Sequence, residues 1–285
     1  MTPASKLLAQ EMRKTFAAEI SRPDDAIRLE YAALLIAAED EAHLKVDIVE
    51  YLLRMTGLGL EAETRVAASA GAAVEAFNHF MFEEAGFIGN QLDYYDPANS
   101  YLNRVLDRRM GIPLTLSIIY MEVGRKAGLE VDGIGLPGHF IVRARETNAV
   151  ESVFVDPFHG KTLGLEDCQD RLDEVFGGQV ALTDEHLRAA TTREILVRLL
   201  TNLKAIYARA NLHLQTLSVI ERILLLTPLE AGEHRDRGTL LAQLERLPEA
   251  IAEMEAYLQM QPRATDAEQV REQLHNLKRR QAARN

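Results

Sequence analysis

The chain has 285 residues, 47% hydrophobic and 26% charged, enough to bury one sizeable core plus an appended module and far from the composition of a disordered chain. A formal net charge of −11 excludes a large phosphate-contacting surface, so nucleic acid is not expected as a partner. The single cysteine, Cys168, rules out an internal disulfide or a cysteine-based metal cluster; the longest apolar runs fall short of the roughly 20 residues that span a bilayer, so the reading is a cytoplasmic protein with no membrane association.

In chain order, apolar residues recur with helical spacing from Asp24 to about Ala38, behind Pro23 and an acidic pair. Further helices are predicted over 46–54, 61–70 and 71–84, the last rich in phenylalanine, which makes the first hundred residues mostly helical. Turn residues cluster at Gly86, Gly89-Asn90 and Asp96 to Ser100, with Asn99 or Ser100 as the cap of the next helix. Pro113 suits the first turn of a helix, and the stretch from Leu114 to Val123 is apolar on nearly all sides, the mark of a helix buried in mid-domain. Lys126 and Gly128 close it.

Short strands are predicted at 131–135, 139–144 and 153–156. A hairpin turn centred on Thr147-Asn148 would set His139 directly opposite Asp156, on one face of the sheet. Such a pair suits general-base chemistry, because the carboxylate fixes the imidazole tautomer and stabilises the imidazolium. Beyond about residue 185 only helical periodicity remains. Pro228 and Pro262, each after an apolar run, lie 34 residues apart, the length of a tetratricopeptide repeat. Tyr207, Gly238 and Ala250 occupy its aromatic and small positions, and His234 replaces the usual large residue. From Arg263 the last segment carries a small basic excess, read as a solvated helix face.

Four runs resemble a known family: DYYDPANSYLN from Asp93 to Asn103, RMGIPLTLS from Arg109 to Ser117, GLPGHF from Gly135 to Phe140, and VDPFHG from Val155 to Gly160. They are similar to the bacterial SirB family, which joins a transglutaminase-like domain to C-terminal tetratricopeptide repeats, and the resemblance runs from about Ala32 to about Gln273. It implies an α+β fold: a helical lead-in and a transglutaminase-like (papain-like) core with a small antiparallel sheet over 1–185, then an all-α repeat module over 186–285.

The superfamily uses cysteine at the start of the buried helix, histidine opening one strand and aspartate ending the next. Histidine maps to His139 and aspartate to Asp156, while the cysteine position falls near Pro113, and no residue from 108 to 122 is a cysteine. The expected pocket is Asn99, Gly138, His139, Phe140, Asp156 and His159. Thr115 and Ser117 are the fallback nucleophiles, weaker than a thiolate unless a histidine activates them. Cys168 is flanked by Asp167 and near Asp170, which would raise its pKa. His139, Asp156 and His159 could supply nitrogen and oxygen ligands, but metal-binding helix spacing is missing and no cofactor is expected. The favoured function is a non-catalytic module that binds a protein or peptide, and the alternative is a hydrolase or acyltransferase using Ser117 or Thr115 with His139 and Asp156.

Overall fold

A computed structural model describes residues 2–69 and 72–284, and divides the chain into two compact units, Met1–Leu199 and Leu200–Asn285.

The first unit opens with a helix that the periodicity did not show, α1 (Pro3–Ile20), started by Pro3 at its first position and by Thr2, whose hydroxyl accepts the Ser5 N–H at 3.2 Å. It is polar along most of its length and buries only Phe16, Glu19 and Ile20, which explains the weak signal. A short 3-10 turn, Asp24–Ala26, leads into α2 (Leu29–Asp40), buried along nearly its whole length. Then comes α3 (Ile48–Ala68), a single helix where two were expected. Gly59, between the two predicted segments, serves packing: a Cβ there would lie 2.5 Å from Lys126 Cβ, so the glycine lets two helices touch. Ala70 and Gly71, where two predicted segments were to meet, lie outside the described residues.

Next, α4 (Ala73–His79) runs into a π-helical turn, Phe80–Glu84. The two-residue strands β1 (Ile88–Gly89) and β2 (Met110–Gly111) pair in parallel, too short to be read from sequence. Between them Asp96 caps a 3-10 turn, Pro97–Ser100, and α5 (Leu102–Arg108) starts after Tyr101 rather than after Asn99 or Ser100. As expected, α6 (Pro113–Lys126) begins on Pro113, and every residue from Pro113 to Gly124 is buried.

Four strands form an antiparallel meander: β3 (Leu129–Ile134), β4 (Ile141–Glu146), β5 (Val153–Asp156) and β6 (Lys161–Leu163). The observed register sets Val142 opposite Val155 and Ala144 opposite Val153. The hairpin therefore centres between Asn148 and Ala149, one residue beyond the predicted position, with Asn148 in the left-handed region at φ 69°. A turn moved by one residue slips the register by two, so His139 is not the direct partner of Asp156 and sits just before β4. Because side chains alternate with period two, the slip keeps residues on their expected face. The helix α7 (Leu165–Phe176) follows, its start capped by Asp167, whose carboxylate accepts the Gly164 N–H at 2.7 Å.

One charged group sits against this core. Glu122 of α6 is 7% exposed and hydrogen-bonded to Glu30 of α2, with Lys126 3.2 Å from Glu30 and Arg125 2.9 Å from Glu122. Burial, and then the Glu30 charge, push the Glu122 carboxyl up to about 7. The folded protein thus holds a proton that the unfolded chain, at 4.5, releases, and stability falls as pH rises from about 4.5 to about 7. Glu122→Gln, which cannot ionise, is expected to gain about 1–2 kcal/mol over wild type at pH 8 and little at pH 5, read from urea denaturation at both pH values. An equal effect at the two pH values would contradict the assignment.

The helix α8 (Thr192–Arg209) runs across the boundary of the two units. The second unit continues with α9 (His213–Leu226), α10 (Ala231–Gln243), α11 (Leu247–Met260) and α12 (Ala267–Ala282). Both the starts and the ends of α9 and α11 are 34 residues apart, so the proline spacing marks a structural repeat. Gly238 is small for the expected reason: a Cβ would come 3.0 Å from Met254 and 3.3 Å from the Ala250 carbonyl of the facing helix. His234, in place of a packing residue, bridges Glu253 at 2.6 Å and the Pro228 carbonyl at 3.0 Å.

Candidate functional site

Asp156 ends β5 and is completely buried. Its Oδ1 accepts the backbone N–H groups of Phe158 (3.0 Å) and His159 (3.3 Å), so the Asp156-Pro157-Phe158-His159 turn folds around its own carboxylate. Oδ2 lies 2.9 Å from His139 Nε2, 2.7 Å from His159 Nδ1 and 3.6 Å from Arg171 Nη2 of α7. Burial alone would raise the carboxyl, but the hydrogen bonds and charges of His139 and His159 outweigh it and hold Asp156 well below the usual carboxylate range.

An ionised carboxylate only accepts, so both imidazoles donate to it. His139 therefore donates from Nε2, and its Nδ1 has no hydrogen-bond partner among the described residues. His159, with Nδ1–H on Asp156, leaves Arg171 as an ion partner of the carboxylate. The two rings lie 5.9 Å apart and 30° from parallel, and Phe158 meets each of them edge-on. Three ligand atoms from His139, Asp156 and His159 fall within 4.8 Å of one another, a nitrogen and oxygen set that could accept a divalent cation, although the Arg171 guanidinium stands beside it as a competing positive charge.

Around this centre the sequence-predicted residues hold different positions. Gly138, at φ +74°, leaves room for Val175 of α7, which a Cβ would approach to 2.6 Å. Phe140 is buried, its ring against Gly133, where a Cβ would come 2.8 Å from it. Asn99 is buried with its amide fully engaged: Nδ2 donates to the carbonyls of Asp93 (2.7 Å) and Tyr94 (3.2 Å), and Oδ1 accepts from Asn90 and Arg108. It staples the loop that presents Tyr94 and Tyr95. Thr115 donates to the Asn99 carbonyl at 2.7 Å and accepts the Ile112 N–H at 3.2 Å, half of a capping box at the start of α6. The Ser117 hydroxyl is completely buried and faces the Phe140 carbonyl at 3.5 Å.

Cys168 is also completely buried, in a cluster with Ile134, Leu136, Ile141 and Leu163, and burial followed by the Asp167 charge pushes its thiol up to about 11. Sequence reasoning missed Arg171, because no local spacing ties a mid-helix arginine to an aspartate fifteen positions earlier. It also missed the aromatic rim, where Tyr94, 40% exposed, packs edge-on against Phe158 at 6.1 Å beside the fully exposed Leu92. The double tyrosine after Leu92 was its visible trace.

Comparison with known proteins agrees with this architecture. The family model for the transglutaminase-like superfamily matches residues 49–201, and one for the tetratricopeptide repeat matches residues 203–275. A UPF0162 protein of Xylella fastidiosa is 35% identical, over 89% of this chain and 91% of its own. A UPF0162 protein of Pseudomonas aeruginosa is 32% identical, over 75% and 77%. F-box only protein 21 of Mus musculus is 28% identical over 48% of this chain but only 22% of its own length. No solved structure matches the chain. By sequence, by fold and by the order of its two modules, the chain belongs to the transglutaminase-like superfamily and, within it, to the SirB-like UPF0162 proteins.

Proposed function

We propose that this is a non-catalytic protein- or peptide-binding protein of the cytoplasm, in which the transglutaminase-like cleft holds a chain that it can neither cut nor join. The observation that carries this reading is the fate of the thiol. The one cysteine of the sequence is buried in the core with its pKa pushed up to about 11, so at neutral pH it is neither ionised nor presented to a substrate. Both fallback hydroxyls are buried and turned to backbone carbonyls, where neither is activated by a base.

What remains suits binding. His139 offers an Nδ1 without a partner among the described residues to a polar group of a ligand, and the exposed Leu92, Tyr94 and Tyr95 give an apolar rim of the kind that interfaces favour. Tetratricopeptide repeats generally mediate protein–protein contacts, and among the described residues no helix is long and apolar enough to cross a membrane. The test pairs two measurements. Peptide amide and ester hydrolysis, and labelling by a fluorophosphonate, should not exceed those of a heat-denatured control. Affinity capture with the full chain should lose its peptide partners on Tyr94→Ser, with an unchanged melting temperature as the check that the fold is kept. Turnover abolished by His139→Ala would establish an enzyme and end this reading.

A further inference from the structure

Beside the His139 loop is a cavity of about 270 Å³, lined in part by Gly135, Pro137, Phe140, His186 and Arg198. Arg198 reaches into its wall from α8. Its Nη2 donates to the carbonyls of Leu136 (2.9 Å) and His139 (2.7 Å), and its guanidinium lies 5.3 Å from the centre of the Phe140 ring. No carboxylate among the described residues pairs with it, and the titratable group whose charge acts on it is the Tyr94 hydroxyl. Burial accordingly draws its pKa below the ordinary arginine range. The acidic residues of the same cavity do not neutralise it, because Glu185 and Glu194 are engaged with Arg188 at 2.9 and 2.6 Å.

Two details direct the unused charge toward the cavity. Nη1 of Arg198 has no hydrogen-bond partner among the described residues, and it faces the open side of Gly135, where a Cβ would come 3.3 Å from it. His186 takes the Thr183 N–H on Nδ1 at 3.1 Å, which puts its own proton on Nε2 and adds a second N–H donor to the lining. Beside these donors the Phe140 ring and Pro137 supply an apolar wall.

We propose that this cavity is a carboxylate subsite, in which Arg198 Nη1 takes the carboxylate and the Phe140 and Pro137 wall takes a short apolar group attached to it. The C-terminal residue of a peptide has this chemistry, and as the choice of source it rests on the function proposed above; a free short-chain carboxylate is the other source. A guanidinium removed from water without a counter-charge gains most from an anion that restores one, and a cavity of this size admits one residue and little more.

The test is an NMR titration of the full chain, following the amides of Gly135 and Ala190. N-acetyl-leucine should produce saturable shifts, and N-acetyl-leucinamide, identical but uncharged, should bind at least about tenfold more weakly. Gly135→Val, which sets a side chain against Nη1 while the Arg198 charge remains, should weaken the acid by a similar factor, read at the Ala190 amide, with an unchanged melting temperature. Arg198→Met should do the same where it folds. If 4-methylvalerate binds as well as N-acetyl-leucine, the subsite stands and the peptide source fails. Equal binding of acid and amide, binding of inorganic phosphate in preference to either carboxylate, or no saturable shift with any of them overturns the proposal. Failure of the wild-type chain to capture any peptide, with acid binding retained, would instead refute the proposed function and leave the subsite standing.

Discussion

Asp156→Ala is expected to destabilise the protein by about 3–5 kcal/mol, the range for removing one partner of a buried, hydrogen-bonded charge network. The estimate follows from what the substitution leaves behind. Two backbone N–H groups, two imidazole N–H groups and one edge of a guanidinium are aimed at a carboxylate that is completely buried, and alanine answers none of them. Asp156→Asn separates the contributions: its carbonyl can still accept the Phe158 and His159 N–H groups, but its NH2 then faces two donors and Arg171, and an intermediate loss is expected. Acid should reproduce the effect. The folded pKa lies below the ordinary 3.8, so the stabilisation is present above that value and is lost as pH falls below it. Urea denaturation of the three proteins at pH 7 measures the order, and a wild-type-like alanine variant would show that the network contributes no stability.

How much of this could be read beforehand differs with the range of the interaction. The buried helix α6 announced itself through an unbroken apolar run behind a proline, and the repeat through two prolines at one spacing, both local patterns. His139 and Asp156 were legible as a pair because period-two alternation survives a register slip of two residues. What was not legible depends on chain segments far apart. The role of Gly59 lies in its contact with Lys126 of another helix, and α1 gave no periodic signal because only three of its residues are buried. Arg171 reaches Asp156 and Arg198 the His139 loop from two separate helices, and nothing in their neighbouring sequence distinguishes them from surface arginines. The site was readable in its carboxylate and imidazole, and silent about the cations around them.

Gly89 offers the sharper test of how the turn bearing Asp156 and His159 is held. Gly89 of β1 donates its N–H to the Phe158 carbonyl at 3.1 Å, and a Cβ on it would lie 2.5 Å both from that carbonyl oxygen and from the Phe158 ring. A ring can swing aside, but the carbonyl belongs to the backbone of the same turn whose N–H groups bind Asp156, and it can move only if the turn moves. Gly89→Ala is therefore expected to cost about 2–4 kcal/mol through overpacking. It should also displace Phe158 and His159 enough to shift the imidazole resonances of His139 and His159 in NMR spectra. Gly57→Ala is the matching control, since Gly57 lies in the middle of α3 with nothing within 4 Å of a new Cβ, and there the change should stabilise by about 0.5–1 kcal/mol. Opposite signs at the two positions would locate the constraint in the contact with the turn rather than in the backbone freedom of glycine, and a Gly89→Ala protein as stable as wild type would mean that the turn is held by Asp156 alone.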